Sequence, residues 1–174
     1  INSILSNTLE VMNKCRDVNL GAKVYLPNFE IPGATTGSQR LIHEIKRLGL
    51  IADQLKTDPR YKERLSYELN TLCNNGVIDL SGYFLLLADV VVWARANRVE
   101  VGPGRGSAGG CLVAYALGIT KIDPIKWGLS FERFIGPARI KKGTLPDIAV
   151  DFSDPAKIFD YLRTRWGEDY VCGI

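Results

Sequence analysis

Two stretches of the chain carry residue types suited to phosphate chemistry. The first is Gly102-Pro103-Gly104-Arg105-Gly106-Ser107-Ala108-Gly109-Gly110. Glycines let a ligand approach the backbone closely, and amides at a helix start point at an anion. Arg105 adds a fixed positive charge and Ser107 a hydroxyl donor. No Gly-Lys-Ser/Thr follows at P-loop spacing, which excludes that motif. Gly104, Gly106 and Gly109 also satisfy the dinucleotide pattern GxGxxG, with Asp123 as the candidate ribose ligand. Pro103 and Arg105 crowd that turn, and Asp123 precedes Pro124, a turn site rather than a strand end. A phosphate cradle, a dinucleotide turn and a purely structural turn all stay open on this segment.

The second stretch is Asp147-Ile148-Ala149-Val150-Asp151-Phe152. In a strand, alternate residues share a face, so 147, 149 and 151 point one way while Ile148, Val150 and Phe152 pack inward. Aligned carboxylates hold divalent cations for phosphoryl or nucleotidyl transfer. A half-buried strand with one wet face gives the same pattern. Arg133 and Arg139 are candidates to face the same site, although on the residues alone an ordinary ion pair is the favoured role for Glu132 or Arg133.

The elements that must position these residues follow from spacing and punctuation. Helices are expected at 3–19, from Ser38 as N-cap to Leu48 with Gly49 as stop, after Asp58-Pro59 up to Gly76, and at 82–97. The last of these is apolar almost all round, the mark of a buried helix. Arg98–Val101 reads as a strand feeding the glycine turn, and Cys111–Leu117 as the helix leaving it. Leu129–Phe134 and Ile148–Phe152 read as further strands, separated by a Pro/Gly/Lys loop at 136–146, and a helix closes the chain at 154–166. The first hundred residues are thus mostly helical and the remainder α/β.

Composition narrows the class. Over 174 residues, 46% are hydrophobic and 24% charged, enough for a buried core and unlike a disordered or disulfide-scaffold chain. A net charge of +3 does not by itself imply nucleic-acid binding. Cys15, Cys73, Cys111 and Cys172 form no CxxC pair and read as reduced intracellular thiols. The apolar run Tyr83–Ala94 contains Asp89 and is too short for a membrane span. His43, the one histidine, lies on the wet side of a helix, which argues against triad hydrolysis. The chain lacks an initiator Met and a capping signal at Ile174, and is expected to be an excerpt of a longer protein.

In order, several segments closely resemble one family, the family C replicative DNA polymerases of bacteria, the polymerase III alpha subunits. The matching stretches are Tyr61-Lys62-Glu63-Arg64-Leu65 with Glu68-Leu69, Gly82-Tyr83-Phe84-Leu85, Val101 to Ser107, Leu112 to Thr120, Ile122-Asp123-Pro124, Phe131-Glu132-Arg133-Phe134, and Pro146-Asp147-Ile148 through Asp151-Phe152. The resemblance implies an α/β fold, a nucleotidyltransferase (polymerase beta-like) palm with an N-terminal mostly helical lead-in. Residues 1–58 would then lead from a preceding domain, and 59–174 would form the N-terminal part of the palm. It implies a DNA-directed DNA polymerase that transfers a deoxynucleotide to a primer end, using two Mg2+ ions. Gly104, Arg105, Gly106 and Ser107, with Arg133, would hold the triphosphate, and Asp151 would bind metal. Primer-template DNA and dNTPs would be the substrates. A sliding clamp and a proofreading subunit would be partners through regions absent here, in a cytoplasmic setting without a membrane.

The sequence departs from the family where catalysis is concentrated. The family strand reads Pro-Asp-x-Asp-x-Asp-Phe, with the second and third Asp as metal ligands. Asp151 matches the third, but Ala149 stands at the second, the position of a lost catalytic Asp. A methyl group cannot bind magnesium. Asp147 shares the face but sits about 6–7 Å further along a strand, too far to substitute without backbone movement. Severely impaired catalysis with the fold intact is the expectation, and a naturally non-catalytic DNA- or nucleotide-binding relative is the alternative. A nicotinamide-dependent oxidoreductase, resting on Gly104, Gly106, Gly109 and Asp123, gives no account of the two aspartates. Cys111, Leu145 and Lys157 are lesser departures, where Ser, Met and Arg are usual.

Overall fold

The protein is described by a computed structural model over residues 2–16 and 26–172. The expected helix at 3–19 is present as α1 (Asn2–Cys15); its last residues, and the first part of the loop after it, lie outside the described residues. The apolar side chains Ile4, Leu5, Leu9 and Met12 of α1 are exposed.

α2 (Gly37–Leu48) starts at Thr36, one residue pair earlier than the Ser38 cap expected from sequence. Thr36 accepts from the Gln39 amide while the Gln39 side chain returns to the Thr36 amide, a reciprocal capping box. Gly49 stops it as expected, at φ 66. A short α3 (Ala52–Thr57), not anticipated, precedes α4 (Pro59–Cys73), which Asp58 caps and Pro59 opens. α5 (Ser81–Ala96) is the buried helix that its composition required. Phe84, Leu85 and Ala88 pack into the main core with Leu41, Ile45, Leu69, Leu72 and Val113. Val90, Val91 and Ala94 face a second cluster with Val99, Val101 and Ile158. A helix with cores on two sides needs no polar stripe.

Beyond residue 100 the expected α/β palm is not what the structure shows. The described residues are helices, turns and extended loops, with isolated bridges at Ile31–Ala34 and Val101–Phe152 and no strand or sheet. The Val101–Phe152 contact is made by Gly102 N–H to Asp151 O (2.9 Å) and Ser153 N–H to Glu100 O (3.0 Å). It cannot propagate. On one side Arg98 turns at φ 59 and Pro155 has no N–H to give. On the other Gly104 turns away at φ 118, a conformation open to glycine and strained for other residues. Glu100 N–H meanwhile goes to the Ser153 hydroxyl. The expected strand at 129–134 is a 3-10 turn, Phe131–Arg133. Its buried residues Phe131, Phe134 and Ile135 fall at helical spacing, and the amides of Phe134 and Ile135 both donate to Phe131 O.

The glycine stretch forms a 3-10 turn, Gly106–Gly110, and hands over to α6 (Leu112–Ala116). α7 (Pro137–Lys141) occupies part of the expected loop, and α8 (Pro155–Trp166) is capped by Asp154. Tyr161 of α8 stacks on Trp93 of α5 with ring centroids 4.3 Å apart and donates to Asp89. No helix among the described residues is long and apolar enough to cross a membrane.

Candidate functional site

The glycine turn and the segment 128–133 face each other across a cleft of about 590 Å³ lined by Gly106, Ser107, Gly110, Ser130 and Arg133, with Ile122 behind Gly109. Their closeness is built into the sequence at Gly110. A Cβ there would lie 2.6 Å from the Ser130 carbonyl oxygen, so any side chain would push the walls apart. Gly106, Ser107 and Arg133 are exposed and available to a ligand. Three of the site residues chosen from sequence are thus brought together, with Arg133 arriving from far along the chain.

Arg105 turns to a different neighbour. Its Nη1 lies 2.9 Å from Asp151 Oδ1, in an ion pair with both side chains more than half exposed. The carboxylate segment otherwise keeps the alternation expected of it: Asp147, Ala149 and Asp151 are exposed, Ile148 is buried, and Val150 and Phe152 are half-buried. This is an extended segment without a ladder, pinned at Ile148 N–H to the Tyr83 hydroxyl (3.1 Å) and at the bridge. The donor set does not fit a two-ion metal site. Asp151 is engaged by Arg105, Ala149 offers no oxygen, and among the described residues no three His, Cys, Asp or Glu side chains gather closely enough to hold an ion.

Sequence reasoning placed free amides at the start of the helix after the turn. They are occupied. Glu68 of α4, with no exposed surface, accepts from Leu112 N–H (3.0 Å) and Val113 N–H (2.9 Å) and sits beside the Cys111 thiol. Arg64 Nε donates to the same carboxylate at 2.7 Å. Burial pushes the Glu68 carboxyl up, against the pull of the two amides and Arg64. Burial also pushes the Cys111 thiol well up, which makes it an inert packing group rather than a nucleophile.

Asp123 is likewise committed to structure. It accepts from the Ile125 and Lys126 amides and from the Tyr61 hydroxyl, which shapes the turn after Pro124 and leaves no ribose ligand there. Burial first, then this bond to Asp123, pushes the Tyr61 phenol up to about 12. His43 is exposed on α2, as expected. Tyr61, Arg64 and Glu68 belong to a quoted motif, yet sequence reading gave them no role. The one available signal was their spacing, which lines them along a single helix face.

The chain is thus a helical domain in which a glycine turn, an exposed serine and an exposed arginine line one cleft. Comparison with known proteins gives that domain a family. Residues 38–174 match the family model described as the bacterial DNA polymerase III alpha NTPase domain. The chain is 42% identical to the DNA polymerase III subunit alpha of Aquifex aeolicus (strain VF5) across 98% of its own length and 15% of that protein's. It is 42% identical to the subunit of the same name from Staphylococcus aureus (strain COL), over 86% of this chain and 13% of that protein. The chain belongs to the bacterial DNA polymerase III alpha family and spans about an eighth to a seventh of the length of these relatives.

Proposed function

We propose that this chain is the part of a bacterial replicative DNA polymerase that holds the triphosphate of the incoming deoxynucleotide. The observation that carries the reading is the shared cleft of Gly106, Ser107 and Arg133. Ser107 supplies a hydroxyl donor, Arg133 a guanidinium whose planar fork suits phosphate oxygens, and the glycines allow the backbone to approach. Gly104 shapes the turn, and Arg105 reaches across to Asp151, the position the family uses for metal. Primer-template DNA is the second substrate this reading implies. A clamp and a proofreading subunit would engage other parts of the polymerase.

Magnesium in a polymerase neutralises the triphosphate and activates the primer hydroxyl. With Ala149 between Asp147 and Asp151, and Asp151 paired to Arg105, these residues do not form the family's metal pair. The chain binds nucleotide and is severely impaired in transfer. Ala149 also favours the second reading, a nucleotide- or DNA-binding relative without catalysis; both readings share the cleft.

The test is calorimetric titration of the intact polypeptide with dATP and magnesium chloride, with NAD as the comparison ligand. Preference for dATP is expected, weakened about tenfold by Ser107→Ala or Arg133→Ala, in line with the loss of one charge-assisted contact. Preference for NAD, or binding indifferent to both substitutions, would remove the triphosphate reading.

A further inference from the structure

Behind the cleft runs a brace, and we infer that Arg64, aimed by Glu68, is the positioning residue that sets the spacing of the two cleft walls. This rests on the nucleotide reading above. Arg64 Nη2 donates to the Gly110 carbonyl at 2.8 Å and to the Leu129 carbonyl at 3.0 Å. Gly110 ends the glycine turn, Leu129 begins the facing wall, and both line the cleft. One guanidinium therefore bridges the two walls where they touch. Its third contact, Nε to Glu68 Oε1 at 2.7 Å, fixes the plane of the fork, since Glu68 is itself anchored by the first amides of α6.

The opposite wall has a second tie to the same helix. Tyr67 donates to Glu132 Oε1 at 2.9 Å, and Ser130 donates to Glu132 Oε2 at 2.6 Å. Thus Ser130 and Arg133, on the open side of the cleft, stand on a turn that α4 holds from behind. A polyphosphate touching Ser107 on one wall and Arg133 on the other depends on wall spacing to well under an ångström. Lysine cannot replace Arg64 here, because an ammonium on a flexible stem lacks the rigid fork that reaches two carbonyls and a carboxylate together.

Calorimetry of the intact polypeptide with dATP and magnesium chloride tests this, because it yields stoichiometry and Kd separately. A purely structural role for Arg64 would lower the folded fraction, and so the stoichiometry, with Kd unchanged. The positioning role predicts Arg64→Lys with Kd about tenfold weaker at normal stoichiometry. It also predicts Tyr67→Phe, a partly exposed site that should fold normally, with Kd weaker by about two- to threefold. Unchanged Kd in the folded variants would overturn the inference and leave the nucleotide reading standing. If Arg64→Lys does not fold, Tyr67→Phe decides alone. Failure of the unaltered protein to bind dATP would overturn both.

Discussion

Around the glycine turn, polar groups from α4, the turn itself, the start of α6 and the Leu129 carbonyl converge and are satisfied by one another, from the fully buried Glu68 outward through the half-buried Arg64. Around the aspartates, two extended segments meet through a single bridge and an exposed ion pair. A fully satisfied buried network fixes one geometry and is expensive to disturb. An exposed ion pair contributes about 0–1 kcal/mol. The cleft side is thus pre-set by the fold, whereas the aspartate side is loosely held and carries Ala149 between its two exposed carboxylates. On the reading proposed above, substitutions at the two sides should separate holding a nucleotide from transferring it.

The largest effect expected is a gain. Ala149→Asp returns an oxygen ligand to the exposed face shared with Asp147 and Asp151, and metal stabilisation of transition-state charge amounts to several kcal/mol. On the reading proposed above, primer extension by a full-length polymerase carrying this segment should rise roughly a thousandfold with magnesium, while dATP affinity changes little; the segment alone, without the third carboxylate, is not expected to polymerise. Normal turnover with Ala149 in place would dissolve the contrast between the two sides.

Next comes the cost of breaking each side's charge pair. Glu68→Ala leaves two buried α6 amides without their acceptor and the half-buried Arg64 without its carboxylate, holding only the two carbonyls. Losing one partner of a buried pair is worth roughly 3–5 kcal/mol, so the Leu112 and Val113 amides should exchange hydrogen on the order of a hundredfold faster or more. Arg105→Gln breaks only the exposed pair and should shift exchange at Gly102 by less than about fivefold, within the 1 kcal/mol such pairs reach. Similar responses from the two substitutions would mean that the interior network is not what holds the turn.

Much of the helical framework was legible because caps and breakers act locally. Asp58-Pro59, Gly49 and Asp154-Pro155 mark their helix ends in sequence and in structure. The alternation of exposure over 147–152 was equally plain. The sheet was not there to be read. Period two describes which side chains are wet, but a ladder needs neighbouring backbone, and the one meeting at Val101 and Phe152 is bounded by Arg98, Pro155, Pro103 and Gly104. At 129–134 the apolar residues suit either period until Phe131, Phe134 and Ile135 prove to be the buried set. The cleft was half legible. The turn announced itself through its glycines, while Arg64 and Glu68 look like ordinary members of a charged helix, because their partners are backbone groups more than forty residues away.

The smallest effect probes how firmly the second wall is tied. The Ser130 hydroxyl is the main cause that holds the Glu132 carboxyl below the ordinary carboxylate range, and Tyr67 adds to it. A carboxyl depressed in the folded state stabilises the fold above its unfolded pKa, near 4.3, and that stabilisation fades as pH falls through the lower folded value. NMR titration of the Glu132 side chain should therefore show a midpoint below that of a free glutamate. Ser130→Ala should move it back up further than Tyr67→Phe does. Glu132 is exposed, so the consequence for global stability is small; the value of the measurement is local. A Glu132 midpoint indifferent to both substitutions would mean that the tie from α4 to this wall is not maintained in solution, and the wall beside Arg133 would then be no better fixed than the aspartate side.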